Sequence, residues 1–221
     1  MSMIGFSSAI PLSPSQMGQW YAQHLDPFIP INTAQYVDIR GDLDLETLER
    51  VSIIAGLEFG SGFVRIAELN GEPCQYVDPG LSSELEYVDL RDVENSERAA
   101  LVWMRQEYSC PINLTSDRLV RAAVLQISDD RWFWYSRAHH IVLDGFGAAT
   151  FTARIAELYT AAVTGAEAPA GKATDLRTLY DSEIAYRDST RFESDKAHWA
   201  QRVAGLEEGS SLTGRSAQRS P

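Results

Sequence analysis

Two runs rich in β-branched and aromatic side chains, residues 119–127 and 131–138, are separated only by Ser128-Asp129-Asp130, and this pair constrains the fold more than any other feature of the chain. Such side chains fit a pleated strand surface, and Ser-Asp-Asp carries turn chemistry, so the spacing predicts a β-hairpin. Its second strand runs out into His139-His140-Ile141-Val142-Leu143-Asp144-Gly145. Beyond Gly145, Phe151, Ile155, Leu158 and Ala162 recur at helical spacing, with Gly165 as the stop. Strand, tight loop and helix follow in order, and a strand end beside a helix start is where chemistry would sit. Because successive side chains on a strand point to opposite faces, the two histidines cannot share one role. Parity groups His140 with Trp132, Trp134, Ser136 and Ala138, and His139 with Phe133, Tyr135 and Arg137. The pattern leaves open which of the two faces is inward.

The rest of the chain alternates helices and strands. Ser13, Pro14 and Gln16 form a capping-box arrangement that opens a helix through Met17, Trp20 and Tyr21 to about His24. Residues 33–39 read as a strand, and Asp44 caps a second helix through Leu45, Leu48 and Val51, with Gly56 as its natural stop. A second hairpin joins residues 62–69 to 73–77 through Asn70-Gly71, and residues 84–90 give a further strand. Residues 93–108 carry a polar helical pattern, and a long helical region runs from 176 to 206 after a Pro/Ala/Gly-containing connector. The class is α/β with a mixed sheet and flanking helices.

Composition narrows the partners. With 221 residues and 44% hydrophobic content the chain can bury a substantial core, read as one core over residues 1–206. Residues 207–221 read as a disordered tail or truncated linker, rich in Ser, Gly and Arg. A formal charge of −12 opposes binding to nucleic-acid backbones or anionic lipid. Cys74 and Cys110 belong to no metal-binding array and read as two reduced thiols. No secretory leader or membrane span is evident, so a cytoplasmic protein is expected. A His-His-Asp metal site would need its ligands on one side, which opposed histidine faces disfavour.

The histidine pair followed at this spacing by Asp-Gly resembles the HHxxxDG signature of condensation domains of nonribosomal peptide synthetases, in the superfamily that includes chloramphenicol acetyltransferase. Residues Ser13-Pro14-Ser15-Gln16-Met17-Gly18-Gln19-Trp20 resemble that family's opening Ser-x-x-Gln-x-x-x-Trp block. Tyr180-Asp181-Ser182-Glu183-Ile184-Ala185-Tyr186 and Lys196-Ala197-His198-Trp199 resemble its later blocks. The resemblance covers residues 8–207 and implies a chloramphenicol acetyltransferase-like lobe, the amino-terminal one of two, with the reaction centre between lobes. It implies amide formation between an acyl donor and an aminoacyl acceptor, both held as thioesters on phosphopantetheine arms. The implied partners are donor and acceptor carrier domains, the carboxyl-terminal lobe and an adenylation domain. The protein itself is expected to hold no cofactor. Because the lobe begins near Met1, the donor is expected from another protein's carrier or as an activated acyl group.

Carried over residue by residue, the resemblance makes His140 the group that meets the amine, and Gly145 a backbone donor to the oxyanion. His139 and Asp144 become structural members of the motif, and His24 and His198 read as hydrogen-bonded structural residues. One block departs from the family: its Arg-His-Glu-x-Leu-Arg-x-x-Phe segment stands here as Gly56-Leu57-Glu58-Phe59-Gly60-Ser61-Gly62-Phe63-Val64-Arg65-Ile66. Counting back from Asn70-Gly71, Phe63 takes the place of an arginine that commonly pairs with the motif aspartate, leaving Arg65 or Arg137 as substitutes. Three alternatives stand beside condensation: a carrier-docking module without catalysis, an acyl-CoA-dependent acyltransferase, and an epimerisation domain, which shares HHxxxDG. The acyltransferase reading suits the chain length, but in the chloramphenicol enzyme the histidine motif lies near the carboxyl terminus.

Overall fold

The computed structural model describes residues 9–81 and 85–206. In order these form β1 (Ile10–Pro11), α1 (Pro14–Leu25), β2 (Asn32–Arg40), α2 (Leu45–Phe59), a short 3-10 turn (Ser61–Phe63), β3 (Val64–Leu69), β4 (Glu72–Val77), β5 (Glu86–Asp89), α3 (Ser96–Tyr108), β6 (Val120–Ser128), β7 (Arg131–His139), α4 (Gly145–Thr164), α5 (Leu176–Arg187) and α6 (Thr190–Val203). Residue contacts group the chain into two units, one ending at Tyr180 and one starting at Asp181. The expected tail, residues 207–221, lies outside the described residues.

The expected hairpin is the heart of the first unit. β7 is hydrogen-bonded between β2 and β6 in a four-stranded sheet ordered β2-β7-β6-β5. It runs antiparallel to both neighbours, from Asn32↔His139 to Arg40↔Arg131 and from Val120↔Ala138 to Ser128↔Arg131. β5 lies parallel to β6, which makes the sheet mixed. A second, antiparallel sheet is ordered β1-β4-β3, with Asn70 and Gly71 both at positive φ in its hairpin turn.

Both faces of β7 are covered. On one, Trp132, Trp134 and Val124 pack with Leu48, Val51 and Ala55 of α2 and Ile155 and Leu158 of α4. On the other, Phe133, Tyr135, Ala123 and Leu125 pack with Ala100 and Met104 of α3. A strand buried on two sides reads as an almost continuous apolar run, which is why alternation could not choose its inner face.

Local signals set most boundaries. Ser13 accepts from the Gln16 N–H and Gln16 Oε1 from the Ser13 N–H, closing the capping box of α1. Asp44 caps α2 through the Thr47 N–H, and Gly165 ends α4 at φ 70°. Gly56 does not end α2. The helix runs on to Phe59 and stops at Gly60, at φ 72°, while a Cβ on Gly56 would come within 2.7 Å of the Phe63 ring. Gly56 is thus a packing glycine that admits the aromatic ring. The region expected as one long helix is two, because Ser189 caps α6 through the Phe192 N–H.

Candidate active site

The end of β7 places the two histidines in opposite environments. His139 is fully buried. Its Nδ1 accepts the Ile141 N–H at 3.0 Å, so the ring proton sits on Nε2, which donates to Gln23 Oε1 at 3.0 Å. Gln23, itself buried on α1, gives its amide protons to the carbonyls of Asp26 and Ile29. Burial first, then the neighbouring His140 and Arg137, hold the His139 imidazolium pKa down to about 4. His139 is therefore neutral, with both nitrogens occupied by the fold. His140 is exposed, and its backbone N–H is fixed to the Ile31 carbonyl at 2.9 Å. The ring stands at the open end of the sheet on a rigid main chain.

The loop that follows is held from within and from α1. Asp144 Oδ1 accepts the Gly147 N–H at 2.7 Å and its carbonyl accepts the Ala148 N–H, so Asp144 is the N-cap of α4. Neither substitute arginine meets it. Arg65 pairs with Asp78 at 3.6 Å, Arg137 pairs with buried Glu107 at 2.9 Å, and among the described residues no cation lies within salt-bridge distance of Asp144. The physical reason is position: Arg137 has the parity of His139 and is drawn under α3, where Glu107 also accepts the Tyr135 hydroxyl at 2.6 Å. Gly145 opens α4, and a Cβ placed on it would meet nothing within 4 Å. Its N–H and that of Phe146 lie in the first turn, where helix donors lack intrahelical acceptors and the helix dipole favours negative charge.

Two glutamines escaped the sequence reading of this site. Gln16, read only as a capping residue, also donates from Nε2 to the Ile141 carbonyl at 3.0 Å and exchanges amide hydrogen bonds with Gln75. Together with Gln23 it anchors the histidine loop to α1. The signal was present as Gln16, Trp20 and Gln23 at helical spacing, although nothing local identifies their partner. Arg154 on α4 grips Glu58 of α2 through Nε at 2.7 Å and Nη2 at 2.9 Å, holding that carboxylate below its ordinary pKa. Glu58 belongs to the degenerate block, so that segment still braces α4 by a different route. Among the described residues no cluster of His, Cys, Asp and Glu has the arrangement of a metal site.

Comparison with known proteins identifies the family. The condensation-domain family model matches residues 7–221. A dimodular nonribosomal peptide synthase of Bacillus subtilis is 34% identical over 210 residues, covering 95% of this chain and 9% of that protein. Enterobactin synthase component F of Escherichia coli O157:H7 is 33% identical, covering 94% and 16%. Among solved structures, the starter condensation domain of rhizomide synthetase in complex with C8-CoA and Leu-SNAC superposes with a TM-score of 0.90 at 29% identity, covering 96% of this chain and 49% of that one. The first condensation domain of the calcium-dependent antibiotic synthetase, bound to a substrate analogue, gives 0.85 at 31% identity, covering 96% and 51%. The chain belongs to the condensation-domain family, with the chloramphenicol acetyltransferase-like fold. It spans about half the length of those solved domains and a small fraction of the curated synthetases.

Proposed function

We propose that this chain is the amino-terminal half of a condensation domain in a cytoplasmic nonribosomal peptide synthetase, and that the complete domain joins a carrier-bound acyl donor to a carrier-bound aminoacyl acceptor. The observation that carries the reading is the division of labour at the end of β7: one imidazole locked inside the fold, the next exposed beside the first turn of α4. The family membership supplies the reaction class.

In the proposed step the acceptor's amine attacks the donor's thioester carbonyl. The C–N bond forms, a tetrahedral oxyanion develops, and the C–S bond then breaks to release the donor's thiol. The proton lost by the amine passes to His140 and on to the departing sulfur. A free α-amino group has a pKa of about 7.7–8.0, so much of it is already neutral near pH 8 and only modest basicity is asked of His140. Positioning and stabilisation of the oxyanion supply more of the acceleration. The Gly145 N–H donates to that oxyanion, while His139 and Asp144 hold the loop in shape. The half alone, lacking the opposing wall of the cleft, is inactive. The rhizomide synthetase domain's complex with C8-CoA favours a second reading of the donor alone, as an acyl-CoA thioester used at the same site.

The test is amide formation by the complete domain with octanoyl donor on carrier or on CoA and leucyl carrier as acceptor. His140→Ala is expected to lower turnover by about ten-squared to ten-to-the-fourth-fold, the range of general acid–base contributions. Unchanged yield would remove His140 from the mechanism, and carrier binding without turnover by the unaltered domain would establish the docking module instead.

A further inference from the structure

A cavity of about 500 Å³ lies against the carboxyl-terminal half of α1, bounded by the loop from α1 to β2, the end of β3 and the segment between α3 and β6. Its volume is that of an ordinary small-molecule pocket. None of its lining belongs to the histidine pair or to the space that Trp134 and Ser136 line under α2 and α4. Much of the wall is apolar and aromatic. Trp20 and His24 hold their ring centroids 4.2 Å apart, and Ile112 and Leu114 come from the core cluster that contains Trp20. Phe28, which also lines the cavity, is 82% exposed, an apolar ring left largely to solvent.

The fixed charge on this lining has one sign. Glu68 and Asp117 contribute carboxylates, no lysine or arginine contributes, and among the described residues neither carboxylate has a cation within salt-bridge distance. Asp117 is held in place, since its Oδ2 accepts the Asn113 N–H and its Oδ1 the Ser116 hydroxyl, both at 2.9 Å. Glu68 is exposed near the end of the edge strand β3, with no side-chain hydrogen bond among the described residues. His24 donates from Nδ1 to the Trp20 carbonyl at 3.0 Å, which fixes the ring and leaves Nε2 of the neutral imidazole as an acceptor. Gln23 spends its amide protons on the Asp26 and Ile29 carbonyls, and Thr115 its hydroxyl proton on Asn113 Oδ1. Two carboxylates beside aromatic rings, with no basic side chain to neutralise them, are complementary to an organic cation, which ring faces also attract.

We infer that this cavity binds a small apolar organic cation, a protonated amine on an aryl or alkyl frame, with the frame against Trp20 and Phe28 and the ammonium held by Glu68 and Asp117. The inference does not depend on acyl transfer at His140. It adds a second site, and the fold ties that site to the histidine loop. Gln23 lines the cavity, and its Oε1 accepts from His139 Nε2. Pro27 and Phe28 belong to the loop that Gln23 holds through Asp26 and Ile29, and that loop continues to Ile31, whose carbonyl fixes the His140 N–H. A ligand in the cavity therefore bears on the groups that hold both histidines, and His139 reports its presence through a single hydrogen bond.

The test uses the full chain with 2-phenylethylammonium and 2-phenylethanol, probes alike in shape and different in charge, with affinities read by calorimetry. The ammonium is expected to bind about tenfold more tightly, an advantage that shrinks as salt is added. Glu68→Gln changes an exposed side chain without a partner, so it should weaken the ammonium about fivefold, the upper end for an exposed charge pair, and leave the alcohol unchanged. Thr115→Trp fills the cavity from its loop and should weaken both probes about tenfold or more, with thermal unfolding as the check on folding; Phe28→Ala, which strips an exposed ring from the wall, serves if that variant does not fold. At saturation the ammonium should shift the proton resonance of His139 Nε2–H. Equal affinities for the two probes, an ammonium affinity unmoved by Glu68→Gln, or affinities indifferent to filling would overturn the site. A His139 resonance unmoved at saturation would overturn its link to the histidine loop.

Discussion

The two faces of β7 solve opposite problems. Under α3, polar groups are buried and bound to one another: Glu107 receives Tyr135, Arg137 and Arg121, and His139 is locked between Gln23 and the Ile141 N–H. Desolvation raises the Tyr135 hydroxyl well above the ordinary tyrosine pKa, so it stays a donor. Under α2 and α4 the same strand lines a cavity of mixed apolar and polar wall, buries an unpartnered indole N–H, and ends in an exposed imidazole. Glu107 ties the polar groups together on one face, although Arg137 Nε and Nη1 stay unpaired there, and on the other the strand ends open to solvent. An exposed side chain keeps its place only when the backbone beneath it is fixed, and the His140 N–H is fixed to the Ile31 carbonyl.

Removing Glu107 should break this contrast most severely. Glu107→Ala leaves the Arg137 guanidinium buried without its partner, and chemical denaturation should show a loss of about 3–5 kcal/mol. A loss under about 1 kcal/mol would mean that the α3 face is not the rigid one. His140→Ala is the mirror image: the fall in turnover given above should come with an unfolding free energy within about 0.5 kcal/mol of the unaltered protein.

The pH response of His139 sharpens the same point. Its folded pKa, about 4, lies below the unfolded value of about 6.5, so the stability it lends is complete above pH 6.5 and drains away as pH falls towards 4. The full shift corresponds to about 3 kcal/mol. Denaturation midpoints at pH 7 and pH 4.5 should differ accordingly, and His139→Gln should flatten that difference. The smallest effects lie in the loop. Asp144→Ala should cost about 1 kcal/mol through loss of the cap, read as a lowered Tm. Gly145→Ala meets no neighbour, so it should leave Tm in place while lowering turnover of the complete domain, which would mark that position as an approach route for substrate.

Much of the fold could be read directly. The capping box at Ser13 and Gln16, the Asp44 cap, the Asn70-Gly71 turn and the β6–β7 hairpin all depend on partners a few residues away, so residue type and spacing suffice. Gly56 misled for the same reason. A glycine in a helical pattern reads as a stop, whereas its reason for being glycine is the Phe63 ring, which only the folded turn brings back against it. The pairings around Asp144 were equally invisible, because the choice of carboxylate for Arg137 depends on where α3 crosses the sheet.

The sequence by itself determined that a double-histidine loop would close a strand and open a helix, since periodicity, capping and turn chemistry act over a few residues. It also determined that the two rings would face apart. Only the tertiary structure decided which would be silent: Gln23, Gln16 and Glu107 reach the strand end from α1 and α3. Burial is a property of what packs on a face, and with helices on both faces the strand's own alternation carries no record of it.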